Sequence, residues 1–435
     1  MPDLREFCDR MWRGEIDTVR ELHPIIGFWN DGEAEEIEEG LLYYKTVASV
    51  STIDTGDGLV MLDTGTEYDT ERIYEGVRDW RPSAELQAAV FSHHHTDHIF
   101  GMAPFEQEAA AKGRSLPTVY GHRSMPGHFD RYRRTWGYNR AINSRQRARP
   151  GMSAESGQVF WPNEFRYPDV TFDNKLRVSV GDMTLELSNT RGETEDAVWV
   201  WIPERKWLFP GDLFIWAVPN AGNPQKVQRW PGEWAAGLRQ MAGKGAELMV
   251  PGHGLPIFGA DRIAEALTDT ADLLEHIESH TLALMNEGYT LDRVLQTVEI
   301  PKRLTDKPWL KSAFDRPEFI VHNVWRLYGG WYEGEPDRLL PAPRAAEAAE
   351  WVTLAGGLGW VLDRARTHLQ NGDLELACHL VEGAALAAPS SPDVHTLRAQ
   401  VYDARAEAQD SSMARGIFSF AAMSSRDGKR DLFNP

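Results

Sequence analysis

The chain has 435 residues, of which 42% are hydrophobic and 10% aromatic, a composition typical of folded globular domains. Its formal net charge of −19 produces a field that repels nucleic acid and anionic membrane surfaces. The only two cysteines, Cys8 and Cys378, exclude a disulfide framework and a CxxC metal site. Since the first residues are charged and no apolar run reaches ~20 residues, we expect a cytoplasmic protein with no nucleic-acid partner and no membrane insertion.

Short apolar strands alternate with helical patterns up to about residue 260. This alternation predicts an α/β sheet domain whose sites lie at strand ends. The stretch 123–178, rich in Arg, Pro, Gly and aromatic residues, is expected to be irregular. In chain order the predicted elements are two strands within 43–66, helix 68–80, strand 86–92, helix 106–113, strand 117–122, four strands within 176–212, helix 232–244 and strand 247–254.

Beyond residue 260 the sequence shows almost only helical periodicity. A long helix is predicted over 259–290. Helix pairs are predicted over 345–410, where a Gly-Asp turn and alanines at close-packing positions suggest one tetratricopeptide-type hairpin. The predicted domains are a catalytic α/β domain (1–260), an all-α domain (261–424) and a short polar tail (425–435).

Four histidines and one aspartate lie within the six positions 93–98, directly after the predicted strand 86–92. In an extended loop, residues two apart point to the same side, so His93 and His95 can bind one cation. Asp97 and His98 lie past the bend and can serve a second cation. Imidazole and carboxylate ligands suit zinc, or iron and manganese. The alternative is a histidine-rich polar loop without a metal.

Three further potential ligands each follow a predicted strand that ends near a glycine. Glu193 lies in "NTRGETED", Asp212 in "LFPGDLF" and His253 in "MVPGHGLP". Because sites in α/β sheets gather at strand ends, this repeated arrangement favours a metal centre built from several loops.

The motifs "LVMLDTG", "SHHHTDH", "TRGET", "FPGD" and "PGHG" resemble the metallo-β-lactamase superfamily in their order and approximate spacing. The resemblance implies an αβ/βα four-layer sandwich with two metals between its sheets. It also implies that Asp63 organises the site without binding a metal. His94, the remaining histidine of the loop, is expected to point away from the metals. By the same resemblance, His93 and His95 bind the first metal, Asp97, His98 and His253 bind the second, and Asp212 bridges the two.

One branch of that superfamily, the alkylsulfatases, uses a carboxylate where most members have the histidine of "TPGHT". Glu193 stands at that position here, and Glu195 is the alternative if the register shifts. The stretch 319–336, "FIVHNVWRLYGGWYEGEP", is similar to the alkylsulfatase dimerisation domain. The resemblance therefore implies a homodimer in which an all-α domain follows the sandwich.

The resemblance also implies a chemistry, namely hydrolysis of a small anionic alkyl sulfate ester by metal-activated water with two zinc ions per chain. Asp97, Asp212 and Asn220 would be catalytic. Arg140, from the arginine-rich segment 123–149, and Asn220 would contact the sulfate group. Trp216 is a candidate to line an apolar slot for the alkyl group, with a place in the core as the alternative.

Three residues depart from the alkylsulfatase pattern. Trp216 and Pro219 stand where that pattern has histidines, and Gln225 stands where it has the sulfate-binding arginine. The same dinuclear chemistry on a thioester, lactone, phosphoester or phosphonate is therefore the alternative function. A di-iron oxygen-handling protein and a non-enzymatic helical scaffold are the alternatives from other classes.

Overall fold

The structure is a computed structural model that describes residues 3–25, 27, 33–149, 151–153, 155–157 and 160–433. The chain divides into two compact units. One consists of Met1–Arg134 with Pro162–Trp331, and the other of Thr135–Trp161 with Tyr332–Pro435.

Within the described residues, the first unit contains a seven-stranded and a six-stranded sheet. The first sheet has the strands β1 Ala34–Glu38, β2 Leu41–Lys45, β3 Ser49–Asp54, β4 Leu59–Leu62, β5 Leu86–Val90, β6 Thr118–His122 and β7 Val170–Phe172, in that spatial order. The second sheet has β8 Lys175–Val180, β9 Met183–Asn189, β10 Val198–Ile202, β11 Trp207–Gly211, β12 Leu248–Pro251 and β13 Ile257–Phe258, also ordered as in the chain.

Helices connect these strands and form most of the second unit. No helix among the described residues is long and apolar enough to cross a membrane. The helices are α1 Leu4–Trp12, α2 Thr70–Trp80, α3 Ala103–Ala111, α4 Met125–Arg134, α5 Trp136–Arg147, α6 Pro231–Ala242, α7 Ala260–Asn286, α8 Leu291–Thr297, α9 Lys302–Thr305, α10 Pro317–Gly329, α11 Pro336–Leu339, α12 Arg344–Leu354, α13 Leu358–Asn371, α14 Leu374–Ala387, α15 Pro392–Glu407 and α16 Ser412–Arg426, with a 3-10 turn at Pro308–Leu310.

The first sheet is buried on both faces, as the alternation along β2 shows. Leu41 and Tyr43 join one core together with residues of the second sheet, whereas Leu42 and Tyr44 join another core together with α2 and α3. Successive strand residues point to opposite faces, so a fully apolar strand requires two cores. The second sheet packs in turn against α6 and α7, which contribute to the core shared by the sheets. This layering confirms the predicted αβ/βα sandwich.

The predicted irregular segment 123–178 is wrong, because α4, α5 and β7 lie within it and β8 begins there. Met125, Phe129 and Tyr132 are buried at a spacing of four and three residues, which is one face of a helix. Because arginines lie between these apolar residues, the composition of the segment does not reveal the helix.

The compact units also differ from the predicted boundary at residue 260. Helix α7 buries Ile263, Leu267 and Leu274 in the core that the two sheets share, so it belongs with the sandwich. Helix α5 lies between sandwich elements in sequence but packs against α16 in the second unit. Packing, rather than order in the chain, therefore decides which segments belong to each unit.

The second unit contains the predicted helical hairpin. Helices α13 and α14 are joined by the turn at Gly372 and Asp373, with Gly372 in the left-handed conformation at φ 82°. Ala377, Ala384 and Ala385 are fully buried in the core of this unit. Small side chains let the helix backbones approach closely, which confirms the role predicted for these alanines.

We expect Gly416→Ala to lower the free energy of unfolding of the second unit by about 1–3 kcal/mol, because no space exists for the added methyl group. A Cβ at Gly416 would lie 1.9 Å from the Gln146 carbonyl oxygen on α5, and this contact is between rigid backbones. Thermal and urea unfolding would measure the change. Gly383→Ala on α14 is the matched control, since its Cβ meets no atom within 4 Å. It should stabilise the helix by up to about 1 kcal/mol.

Candidate metal centre

The loops that follow four strands, β5, β9, β11 and β12, carry the candidate ligands, and the loop after β4 carries Asp63. Strands β4 and β5 run parallel, as do β11 and β12, and β9 runs in the same direction as β11 because both are antiparallel to β10. The carboxyl ends of β4 and β5 therefore lie along one edge of the first sheet, and those of β9, β11 and β12 along one edge of the second. Two groups of candidate ligand atoms, each within 4.8 Å of one another, result: His93, His95, Glu193 and Asp212, and Asp97, His98 and His253.

Gly252 allows the His253 loop to approach Asp212 closely. A Cβ at Gly252 would lie 2.1 Å from Asp212 Oδ1 and 2.7 Å from the Gly211 carbonyl carbon. The Gly252 N–H donates to the Gly211 carbonyl at 2.9 Å. The glycine in "PGHG" is therefore required by the close approach of two backbones.

The buried carboxylate of Asp63 fixes the histidine loop. It accepts from the Ser92 backbone N–H (2.7 Å) and from the Ser92 hydroxyl (2.7 Å). It also accepts from His98 Nδ1 (2.7 Å). Because the Ser92 hydroxyl donates to Asp63, its oxygen is free to accept from His93 Nδ1 at 2.9 Å. Asp63 thus orients two imidazoles, one directly and one through Ser92.

His253 is oriented in the same way by the backbone. Its Nδ1 donates to the Val47 carbonyl at 2.7 Å. In His93, His98 and His253 the protonated Nδ1 is engaged, so the Nε2 lone pair of each ring faces the cluster. Three imidazoles are therefore held in the tautomer that binds a metal.

The spacing of the ligand atoms suits bound cations. His98 Nε2 lies 3.4 Å from Asp212 Oδ1, and His253 Nε2 lies 3.3 Å from Asp212 Oδ2. His93 Nε2 lies 3.6 Å from Asp212 Oδ2, and His253 Nε2 lies 3.5 Å from Asp97 Oδ2. Ligand atoms bonded tetrahedrally to one zinc ion at about 2.0–2.2 Å are themselves roughly 3.3–3.6 Å apart.

Several of these atoms are buried without a hydrogen bond of good geometry within the described part of the chain. They are His93 Nε2, His98 Nε2, Glu193 Oε2 and Asp212 Oδ1. A buried polar atom without a partner is costly, and a cation would satisfy all four. The donor set of imidazoles and carboxylates fits zinc or a similar divalent ion.

The protonation equilibria of the cluster are strongly perturbed. Burial lowers the pKa of His93 to about 4 and that of His95 well below its usual value, and neighbouring histidines add to both effects. Although burial favours the neutral acid, His253 and His98 hold the pKa of Asp212 well below its usual range. Burial raises the pKa of Glu193 to about 7, an effect that Arg229 opposes and Asp212 increases. His93 and His95 are therefore neutral. Although burial opposes it, Asp212 raises the pKa of His98 and that of His253, so a cation that binds there displaces a proton from each of these two rings.

Glu193 lies inside the cluster, whereas Glu195 lies outside it. Glu193 Oε1 is 3.7 Å from His95 Nδ1, and the residue is 3% exposed. Arg229 Nη1 donates to the same oxygen at 2.6 Å, and Asn220 Nδ2 donates to it as well. The side chain of Glu195 is 47% exposed, with its carboxylate 3.6 Å from His128 Nε2.

His94 turns away from these two groups and joins a third. Its Nδ1 lies 2.8 Å from Asp196 Oδ1, and Arg131 donates to its Nε2 at 3.1 Å. The His128 ring stacks on His94 with centroids 4.2 Å apart. The sequence contains no periodic or motif signal that pairs Asp196, Arg131 or His128 with the histidine loop, so analysis of the sequence missed them.

The three residues predicted to contact the substrate, Asn220, Trp216 and Arg140, lie in three different environments. Asn220 is buried, with its amide on Glu193. Trp216 is a core residue instead of a substrate contact: it is 1% exposed and its indole N–H donates to the Leu255 carbonyl at 2.7 Å. Its ring fills the space beside Gly254, which explains why it cannot line an open slot. Arg140 lies in the second compact unit, where its guanidinium lies over the Trp136 ring, and its substrate role stays a prediction.

Arg229 is another residue that the sequence did not reveal, since an isolated arginine in a loop carries no signal. Its backbone is held by Asn323 of α10, whose Nδ2 donates to the Arg229 carbonyl at 2.9 Å. The same segment is held by the buried carboxylate of Asp315, which accepts from the Gly222 N–H at 2.6 Å. Contacts from the helical part of the first unit thus position the residues that hold Glu193.

Two family profiles match the chain. The profile described as metallo-beta-lactamase superfamily matches residues 44–253, and that described as alkyl sulfatase dimerisation matches residues 290–428. The first range contains every candidate ligand described above. The second lies in the helical part of the chain.

Curated relatives and a solved structure agree with these matches. A linear primary-alkylsulfatase from Pseudomonas sp. (strain ATCC 19151) is 26% identical over 75% of this chain and 64% of its own length. An (R)-specific secondary-alkylsulfatase from Pseudomonas sp. is 24% identical over 88% of this chain and 60% of its own, so the chain spans about three fifths of these relatives. The sec-alkylsulfatase Pisa1 from Pseudomonas sp. has the same fold, with a TM-score of 0.82 at 23% identity over 91% of this chain and 66% of that one. The chain thus carries a domain of the metallo-beta-lactamase superfamily followed by an alkyl sulfatase dimerisation domain.

Proposed function

We propose that the protein is a hydrolase with two zinc ions that cleaves alkyl sulfate esters to an alcohol and inorganic sulfate. The observation that carries this proposal is the ligand arrangement: two histidines and a carboxylate in each of two adjacent groups, with Asp212 between them. The relatives of this chain are named alkylsulfatases, which supports sulfate esters as the substrate class.

In this proposal each residue of the centre has a metal-binding or a positioning role. His93, His95 and Glu193 would hold one cation, Asp97, His98 and His253 would hold the other, and Asp212 would contact both. Bound there, the cations supply Lewis acidity and activate water at neutral pH. Asp212 faces both groups with its two oxygens, so it fixes their spacing. Asn220 acts by positioning Glu193 through its amide.

A second candidate substrate class follows from the departures at 216, 219 and 225. The Trp216 indole is buried on the Leu255 carbonyl and has no acidic proton to give a leaving group. Gln225 carries no charge for a sulfate oxygen, and its Oε1 is buried without a hydrogen bond in the described residues. A carboxylic thioester, lactone, phosphoester or phosphonate is therefore the alternative substrate of the same centre.

The zinc-reconstituted protein should release inorganic sulfate from primary or secondary alkyl sulfates, because its ligand set is complete. Ion chromatography of sulfate would measure this, with zinc quantified on the same sample. Thioesters, lactones and phosphoesters would be assayed in parallel. Two bound zinc ions with cleavage only in that second panel would reject the sulfate ester and support the alternative.

Glu193→Gln should lose at least one of two zinc ions and reduce turnover by about 100-fold or more, since a buried carboxylate ligand becomes a neutral amide. Metal content by atomic emission and initial rates would measure the two effects. Glu195→Gln is the matched control on the same loop, and it should keep both metals and near-normal rates because Glu195 is half-exposed outside the cluster. The reverse pattern would show that the ligand is Glu195.

We also propose that the chain forms a homodimer through the helical region that matches the dimerisation profile. Leu340, Trp351, Leu354 and Trp360 are 64–92% exposed in this region. Trp351 and Leu354 are three residues apart on α12 and so share one helix face. Several exposed large apolar side chains within one short part of the chain are typical of a surface that another protein covers, and a second copy is the occupant that the matched profile supports.

The double variant Trp351→Glu/Leu354→Glu should convert the dimer to single chains of 49.1 kDa, because it places charges in an apolar interface. Light scattering coupled to gel filtration would measure the mass. Tyr68→Glu is the control, since Tyr68 is 78% exposed and lies outside the matched region. A control that dissociates equally, or a double variant that stays dimeric, would contradict the proposed surface.

A further inference from the structure

The two candidate cation sites have matching ligand sets but different surroundings. Each has two histidines and one carboxylate of its own, and both share Asp212. Their formal charge is therefore equal before any neighbouring group is considered. The difference lies in Arg229, whose guanidinium contacts Glu193 of the first group.

Arg229 is a fixed charge in this position. Its side chain is 2% exposed, and Nη1 contacts Glu193 Oε1 and donates to the Asn220 carbonyl. An arginine stays protonated even when buried, so it cannot shed its charge to accommodate a cation nearby. Asn323 further fixes the Arg229 backbone through its side-chain amide.

No equivalent charge contacts the second group in the part of the chain that the structure describes. Asp97 Oδ2 lies against His98 and His253 at 3.7 Å and 3.5 Å, without an ion pair to a lysine or arginine. The buried Lys45 interacts electrostatically with Asp97 but forms no ion pair with it. Its Nζ donates instead to the backbone carbonyls of Thr46 and Val47. These contacts leave the Asp97 carboxylate free for a cation.

We infer that Arg229 makes the His93–His95–Glu193 site the weaker of the two, so that the Asp97–His98–His253 site fills first. The inference rests on the proposed dinuclear function. The guanidinium cancels the charge of Glu193 at one site, whereas Asp97 keeps its full charge at the other, and the cation's attraction differs accordingly. Arg229 and Asn220 also occupy Glu193 Oε1, which leaves Oε2, the unpartnered oxygen, for the cation. Arg229 is therefore a positioning residue that sets metal affinity.

Zinc titration of the metal-free protein by calorimetry, with equilibrium dialysis as the second readout, tests the order of filling. The protein should bind two zinc ions with dissociation constants at least tenfold apart. His95→Ala, which removes the first site, should retain one ion at the tighter constant. His253→Ala, which removes the second, should retain one ion bound at least tenfold more weakly. Equal constants, or the reverse assignment, would overturn the inference while leaving the dinuclear function intact.

Arg229→Gln should bring the two constants within about threefold of each other in the same titration, since an amide can still donate to Glu193 but carries no charge. Arg229→Lys is the matched control, because it keeps the charge and should keep the tenfold gap. An unchanged gap in a folded Arg229→Gln would overturn the role of Arg229. If circular dichroism shows that the Arg229 variants do not fold, the His95→Ala and His253→Ala pair decides alone. Failure of the unaltered protein to bind zinc would reject the proposed function itself.

Discussion

The buried carboxylate of Asp63 is the group on which the rest of the centre depends. Three donors from Ser92 and His98 satisfy it, so its burial orders the whole histidine loop. An unpaired buried carboxylate would cost several kcal/mol, and this cost enforces the loop conformation. Asp63 itself takes the left-handed backbone region at φ 54°, a strain of about 1–3 kcal/mol that the three bonds offset.

A second constraint follows from the crowding of Asp97, Glu193 and Asp212 in one buried place. Like charges in low dielectric oppose one another, which contributes to the raised pKa of Glu193. Arg229 and the histidines relieve only part of this repulsion. The arrangement therefore couples cation binding to stability, because a cation bound between the carboxylates stabilises the folded chain over the unfolded one.

The helical part of the first unit has a direct part in this chemistry. Asp315 and Asn323 hold the segment that carries Asn220 and Arg229, and these two residues hold Glu193. Through this network of polar contacts, the position of α10 helps to fix the position of the Glu193 carboxylate. Trp216 is buried beside Gly254 and Leu255, so the departure from the alkylsulfatase pattern at that position serves the core.

The motifs of the sequence, through the family that they resemble, predicted the sandwich and proposed the seven ligand-type residues from His93 to His253, because glycine-containing motifs at strand ends are strong local signals. The short strands β1, β7 and β13 were not predicted. Helices α4 and α5 were missed as well, since arginines mask their apolar faces. Only the tertiary structure decided that Glu193 rather than Glu195 faces His95, and that Trp216 is buried. It alone brought Arg229 to Glu193, because contacts between residues 36 positions apart depend on packing and leave no pattern in the local sequence.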